Sequence, residues 1–315
     1  MEQRSLPIEV GDRAQNGGPP AVLDGGLATE LERRGADLSD RLWSARLLVD
    51  DPDLIRKVHL DYFRAGAQVA TTATYQATNA GFAAAGIDPA RAAELMRRAV
   101  RLARSARDQA DRGGLLIAAS IGPYGAMRAD GSEYTGEYGG ASVDELIRFH
   151  RPRIDALAAT APDLFAAETI PSMPETEALA VVLSEVPEIP SWVSFSCRDG
   201  ARIADGTFVE DAARMAASVP SVIAVGINCT PARLVTPLLK RLHKAVPIPL
   251  IVYPNAGGRW DARRRAWSDD AKTVPDDLTQ AANAWLGWGV RWVGGCCGFG
   301  VRAIEALARS VAHTA

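Results

Sequence analysis

The stretch Ala21-Val22-Leu23-Asp24-Gly25-Gly26-Leu27-Ala28 is a short apolar run that breaks into an acid and two glycines. In a doubly wound sheet the first strand runs into a glycine-rich phosphate turn, and the spacing of these glycines does not fit that fingerprint. The rest of the chain reads as a barrel. Apolar, β-branched-rich runs at 21–25, 68–74, 115–121, 164–168, 191–196, 222–228, 250–253 and 291–294 read as strands. Helix-period stretches accompany them at 89–111, 143–159, 174–183, 209–217, 231–244, 277–286 and 301–311, several with proline in the first turn, where its missing N–H costs nothing. Eight strands alternating with helical sequence predict a (β/α)8 TIM barrel of the α/β class, and no linker divides it. The expected organisation is one domain over 21–315 behind a flexible N-terminal tail, 1–20. That tail carries Glu2, Arg4, Glu9, Asp12 and Arg13 and no apolar core, so it does not read as a signal peptide.

Composition narrows the classes. A hydrophobic content of 47% over 315 residues can bury a large core, and a net charge of −3 gives no reason to expect nucleic acid or an anionic membrane as partner. No apolar run approaches the roughly 18 residues of a membrane span. Four cysteines, two of them adjacent, do not make a secreted disulfide framework, so the expected compartment is the reducing cytoplasm.

Barrel enzymes gather their chemistry at the C-terminal strand ends. Here those ends present Asp24; Thr72 and Thr74 with Tyr75; Gly122-Pro123; Glu168 with Thr169; Ser196 with Cys197; Asn228-Cys229; Asn255; and Cys296-Cys297. Strands six and eight are two apart around a barrel, so Cys229 can approach the Cys296-Cys297 pair. The glycines framing that pair suit close backbone turns. Three thiolates make a Zn2+ site with one position open. Water activation usually employs nitrogen and oxygen ligands, so an all-sulfur set points to attack by a substrate sulfur. Cys197 lacks the glycine frame and reads as a packed small residue.

Asp24 and Glu168, two carboxylates facing one pocket, suit an ammonium group. Acid–base work suits them less, because alkylating sulfur needs no proton transfer beyond loss of the thiol proton. The long connection 124–141 holds Tyr124, Tyr134 and Tyr138, half of the six tyrosines; aromatic faces attract onium cations, so this loop is a candidate methyl-donor site. Asn255 is grouped with it. A second long connection, 258–276, contains Arg263-Arg264-Arg265 and reads as solvated; connections of such length in compact domains are lids or binding loops. His59, His150, His243 and His313 fall in helical segments and read as surface or helix-packing residues. A Schiff-base barrel lyase or aldolase would need a strand-end lysine, and Lys57, Lys240, Lys244 and Lys272 lie in helices or loops. A zinc-storage or thiol-sensing protein would explain the cysteines and leave Asp24, Glu168 and the tyrosines unused.

These residues resemble the homocysteine S-methyltransferase family, especially its branch using S-methylmethionine or S-adenosylmethionine. The resemblance is carried by residues 23–32, by Asp37-Leu38-Ser39-Asp40 with Leu42-Trp43-Ser44-Ala45, by Thr72-Ala73-Thr74-Tyr75-Gln76-Ala77, and by Gly122-Pro123-Tyr124-Gly125-Ala126 with Asp130-Gly131-Ser132-Glu133-Tyr134. Glu168-Thr169-Ile170-Pro171, Gly226-Ile227-Asn228-Cys229-Thr230 and Gly294-Gly295-Cys296-Cys297 complete it, so it spans about residue 20 to the C-terminus. It implies a (β/α)8 barrel with zinc on Cys229, Cys296 and Cys297. It further implies Asp24 and Glu168 on the homocysteine amino group, amides around Gly25-Gly26 on its carboxylate, and Thr72 or Thr74 against the amino acid; Asn228 is counted with these substrate-binding residues. The family commonly reads Pro-Asn-Ser-Gly-Glu where this chain has Pro254-Asn255-Ala256-Gly257-Gly258, without that hydroxyl and carboxylate. The implied reaction moves a methyl group from a small sulfonium donor to homocysteine, forming methionine. Betaine as donor or selenocysteine as acceptor keeps the same chemistry.

Overall fold

The computed structural model describes residues 20–257, 260–261, 266–267 and 275–314. Its barrel strands are β1 (Ala21–Val22), β2 (Val69–Thr71), β3 (Leu116–Ile121), β4 (Leu164–Ile170), β5 (Ser191–Phe195), β6 (Val222–Pro231) and β7 (Leu250–Asn255). A small antiparallel hairpin, β8 (Trp260–Asp261) and β9 (Ala266–Trp267), precedes the last barrel strand, β10 (Val290–Val293). The eight parallel strands run in the order β1-β10-β7-β6-β5-β4-β3-β2. The remaining seam is closed by a parallel bridge from Leu23 to Val69, with Gln68 N–H donating to the Val22 carbonyl at 2.7 Å and Asp24 N–H to that of Val69 at 3.0 Å. This is the (β/α)8 barrel that the alternation predicts. Residues 1–19 of the expected tail and most of 258–276, including Arg263-Arg264-Arg265, lie outside the described residues.

Alternate strand residues face opposite ways, so the barrel has two apolar layers. Leu23, Leu116, Leu164, Trp192, Ile251 and Trp292 fill the interior together with Ala21, Ala118, Ala166 and Ala224. Two tryptophans, with ring centroids 6.3 Å apart, occupy the volume that these alanines leave free. Their neighbours Val22, Ile117, Phe165, Val193, Val225 and Val252 face outward into the larger cluster beneath the helices. No helix among the described residues is long and apolar enough to cross a membrane.

Two features depart from the sequence reading. The crossover from β1 to β2, which the periodicity reading leaves unassigned, contains the helix Pro52–Arg64, whose N-cap Asp51 accepts from Leu54 N–H. It buries Ile55, Val58, His59, Tyr62 and Phe63, the stripe of an amphipathic helix. Strand ends also shift. β1 and β2 stop short of their apolar runs, whereas β4 and β6 continue past 168 and 228, so Glu168 is not the last residue of its strand and Cys229 lies within a strand and not behind it. Both continuations are irregular: the β4–β5 register slips between Ala167 and Ile170, and the β6–β7 register between Asn228 and Pro231. Such bulges bend a strand and re-aim its side chains, and they cluster next to active sites.

His59 is fully buried, and neither ring nitrogen meets a hydrogen-bond partner among the described residues. Burial lowers its pKa to about 4, so the folded protein keeps it neutral while the unfolded chain takes a proton below about 6.5. Stability contributed by neutral His59 is therefore lost as pH falls from about 6.5 towards 4. His59→Leu is expected to raise folding stability at pH 7 by about 1–3 kcal/mol, and by more at pH 5. Denaturant unfolding at the two pH values measures this, and a destabilised variant at both would refute it.

Candidate active site

The turn carrying the double cysteine is held from both sides. Cys296 N–H donates to the Pro254 carbonyl at 2.7 Å, and Ala256 N–H to that of Cys297 at 2.9 Å, which ties the turn to β7. On the other flank Gly26 N–H donates to the Phe299 carbonyl at 2.9 Å, and the Thr29 hydroxyl accepts from Gly298 N–H at 2.9 Å. A Cβ on Gly26 would stand 2.9 Å from the Cys296 carbonyl oxygen, and one on Gly294 would stand 2.6 Å from the Leu23 Cβ. Those two positions require glycine because the β1 and β10 loops pack backbone to backbone.

Cys229 reaches the turn from β6 with φ +45°, a left-handed backbone that swings its side chain inward. The Asn255 amide braces it, donating to the Cys229 carbonyl at 3.0 Å. The sulfurs of Cys229, Cys296 and Cys297 all lie within 4.8 Å of one another, with Cys229–Cys297 at 3.8 Å and Cys296–Cys297 at 3.9 Å. Tetrahedral ligands at the zinc–thiolate length of about 2.3 Å stand about 3.8 Å apart, which those two separations match. The three thiols titrate as a unit. Cys229 is held well below the usual thiol range by hydrogen bonds from Cys296 and Cys297, and the hydrogen bonds to Cys229, followed by burial and its charge, push both neighbours up. Cys197 stands apart, packed against the outer core, where burial pushes its thiol up.

The sulfurs form one wall of a pocket of about 650 Å³, a volume that includes the open space at its mouth. Asp24, Gly25, Gly26, Thr72, Glu168 and Tyr134 line it, as do Trp43, Ser44, Thr71, Tyr75, Thr169 and Tyr253, which were not singled out as binding residues from the sequence. No Lys, Arg or His lines it among the described residues. Asp24 is buried and accepts from Thr71 N–H at 2.8 Å and from the Thr71 hydroxyl at 3.0 Å. Burial pushes its carboxyl well up despite those bonds, and Glu168 adds to the rise. Glu168 is pushed to about 7 by burial, against hydrogen bonds from the Ser120 and Tyr253 hydroxyls. Glu133 is also raised to about 7 by burial, and its Oε2 meets no partner among the described residues. The signal that could have found Thr71, Ser120 and Tyr253 is their position at or beside strand ends, but their roles depend on which carboxylate they meet.

Several expected pocket residues sit behind it. The Thr74 hydroxyl bonds the Thr72 hydroxyl at 2.7 Å and donates to the Ser120 carbonyl at 2.7 Å, so Thr74 supports Thr72. Asn228 is fully buried against Thr169, and Asn255 serves Cys229 and Gly257 N–H. Only Tyr134 of the loop tyrosines lines the pocket, with its hydroxyl 3.3 Å from the Cys229 sulfur. Tyr124 and Tyr138 pack edge to face, 5.3 Å between centroids, in a separate cluster with Leu146 and Ala178. They are fastened there by Glu175, which accepts from Tyr124 N–H and from the Tyr138 hydroxyl, both at 2.6 Å. His150 Nε2 meets the same carboxylate at 2.8 Å, and Arg153 donates to His150 Nδ1 at 2.6 Å and to the Gly122 carbonyl. Burial, with the Arg153 charge, lowers the His150 pKa to about 4, so the ring is neutral.

The profile of the homocysteine S-methyltransferase family matches residues 21–311. The homocysteine S-methyltransferase of Escherichia coli strain K12 is 48% identical over 284 residues, covering 88% of this chain and 90% of that one. The selenocysteine Se-methyltransferase of Brassica oleracea var. italica is 43% identical over 292 residues, covering 88% and 84%. Among solved structures, the metallated form of the Escherichia coli homocysteine methyltransferase MmuM superposes with a TM-score of 0.85 at 44% identity, covering 95% of this chain and 99% of that one.

Glu168 offers a direct test of the pocket's electrostatics in metal-free protein. Its folded pKa of about 7 exceeds the unfolded 4.5, so its stabilising contribution is complete below pH 4.5 and is lost as pH rises through 7. Glu168→Gln should abolish that loss, gaining up to roughly 3 kcal/mol relative to wild type between pH 4.5 and 8. Urea unfolding across this range measures the difference, and a pH-independent difference would rule the assignment out.

Proposed function

The chain belongs to the homocysteine S-methyltransferase family, and on that premise we propose that it transfers a methyl group from a sulfonium donor, S-methylmethionine or S-adenosylmethionine, to the sulfur of L-homocysteine. The observation carrying this reading is the convergence of three thiols, two carboxylates and an aromatic wall on one pocket, with no basic side chain lining it among the described residues. Such a lining favours cationic groups: a metal ion, an ammonium and an onium methyl.

Cys229, Cys296 and Cys297 would hold Zn2+, which when bound supplies acidity to the homocysteine thiol and leaves its sulfur electron-rich. Asp24 and Glu168 take the homocysteine ammonium between them, and its charge draws both carboxyls back to their ionised forms. Amides around Gly25-Gly26, where the turn leads into the helix Leu27–Arg33, receive its carboxylate, the Gly26 N–H itself being held by the Phe299 carbonyl. Thr72, backed by Thr74 and Ser120, fixes that wall. On the other side Trp43, Tyr75 and Tyr134 present aromatic faces to the sulfonium; Trp43 and Tyr75 meet edge to face, 6.1 Å between centroids. Tyr124, Tyr138 and Asn255 leave the donor site in this reading and act through the loop and Cys229. The homocysteine sulfur attacks the methyl carbon as the donor's S–CH3 bond breaks. Its electron pair returns to the donor sulfur, which departs as a neutral thioether without acid help. The residues therefore contribute position and exclusion of water more than proton transfer. We further assign residues 21–315 to this one barrel domain.

Zinc content and methionine formation from homocysteine with S-methylmethionine, S-adenosylmethionine and betaine, assayed in parallel, test the proposal. Stoichiometric zinc with turnover from a sulfonium donor is expected; turnover from betaine alone would replace the donor, and metal-free inactivity with every donor would sink the reading. A selenocysteine arm checks the acceptor, since a selenium-methylating relative shares the fold family. Cys297→Ser should lose tightly bound metal and at least about 100-fold in kcat/KM. Glu168→Gln should raise the homocysteine KM roughly 10- to 100-fold, the worth of a hydrogen bond to a charged group, with the donor KM unchanged.

A further inference from the structure

The irregular ends of β4 and β6 share one connection. Thr169, directly after Glu168, has φ +61°, a left-handed conformation that a β-branched residue adopts only under outside constraint. Cys229, directly after Asn228, is left-handed too. The two strands are not neighbours, because β5 lies between them and ends at Phe195. Above that short strand the Asn228 side chain spans the gap. Its Oδ1 accepts from Thr169 N–H at 2.7 Å, and its Nδ2 donates to the Thr169 hydroxyl at 2.8 Å. Asn228 is 0% exposed and Thr169 2%, so neither group has water as an alternative partner. Without this amide the Thr169 N–H would be a buried, unsatisfied donor on a strained residue.

We propose that Asn228 is a positioning residue whose amide locks the left-handed turn at Thr169, so that Glu168 on β4 and Cys229 on β6 meet the same substrate at a set separation. The inference rests on the functional reading above in taking Glu168 and Cys229 to serve one amino acid. Asn228 touches neither the pocket nor the sulfurs; it acts through Thr169 on one side and through its own backbone on the other.

The test is a double-mutant cycle of Asn228→Ala, Thr169→Val and the pair, read as homocysteine KM, donor KM, kcat, and zinc retention against a competing chelator. Thr169→Val keeps the shape and the N–H bond but removes the hydroxyl, which meets both Asn228 and Tyr75. Asn228→Ala is expected to raise the homocysteine KM about 10- to 100-fold and to weaken zinc retention about 10-fold, with the donor KM within about twofold of wild type. Thr169→Val should move homocysteine KM in the same direction by less, and its added effect in the double variant should be smaller than its effect alone. Additive effects, equal rises in both KM values, or unchanged zinc retention would overturn the proposal. If Asn228→Ala does not fold, Thr169→Val decides: an unchanged homocysteine KM overturns it. Wild-type inactivity with every donor would instead strike at the functional reading, while zinc retention still reports on Asn228.

Discussion

The pocket gathers acidic groups away from water. Asp24, Glu168 and three thiols share its lining with no basic side chain among the described residues, and Glu133 is buried nearby. Burying charge is expensive, so the groups respond by holding protons: both glutamates rise to about 7, Asp24 rises well above the usual carboxylate range, and only one of the three thiols is favoured as a thiolate. A site in that condition gains free energy from ligands that bring positive charge. The same electrostatic deficit thus accounts for the choice of a metal, an ammonium and an onium methyl group as its complements.

Holding such a site together demands a stiff frame, and the barrel mouth supplies it with few side chains. The β1 and β10 loops approach so closely that Gly26 and Gly294 have no room for a Cβ. Glu175 bolts the ends of the tyrosine-bearing loop to the helix Met173–Ser184, with His150 and Arg153 completing a buried network. That network explains why two of three tyrosines never reach the pocket: their hydroxyl and amide groups are spent on anchoring the segment that delivers Tyr134. The edge-to-face packing of Tyr124 and Tyr138 serves the loop and not a ligand.

The barrel was legible because strand and helix periods alternate cleanly from residue 68 onwards, and period is a local property. The first crossover helix was equally written in the sequence, as Asp51-Pro52 followed by Ile55, Val58, Tyr62 and Phe63, and the periodicity reading passed over it. Grouping Cys229 with Cys296-Cys297 followed from topology, since strands six and eight of a barrel flank a single neighbour. The misplaced residues share one cause. Thr74, Asn228, Asn255, Tyr124 and Tyr138 are polar groups at strand ends or in the connection after β3, each with a partner 26 to 59 positions away in the chain, and no local pattern says whether such a group faces a ligand or another side chain.

By itself the sequence determined the fold class, the strand ends that bear chemistry, the sulfur trio and the pair of acids, because each follows from residue type and spacing. The tertiary structure alone decided which groups face the pocket and how they are charged. Those properties arise from β-bulges at Thr169 and Cys229 and from desolvation, and both are set by packing between segments distant in the chain. Asn228 is the sharpest case: its residue type announces a polar role, and only the folded chain sets its side chain against the N–H and hydroxyl of the left-handed Thr169, the contact on which its positioning role rests.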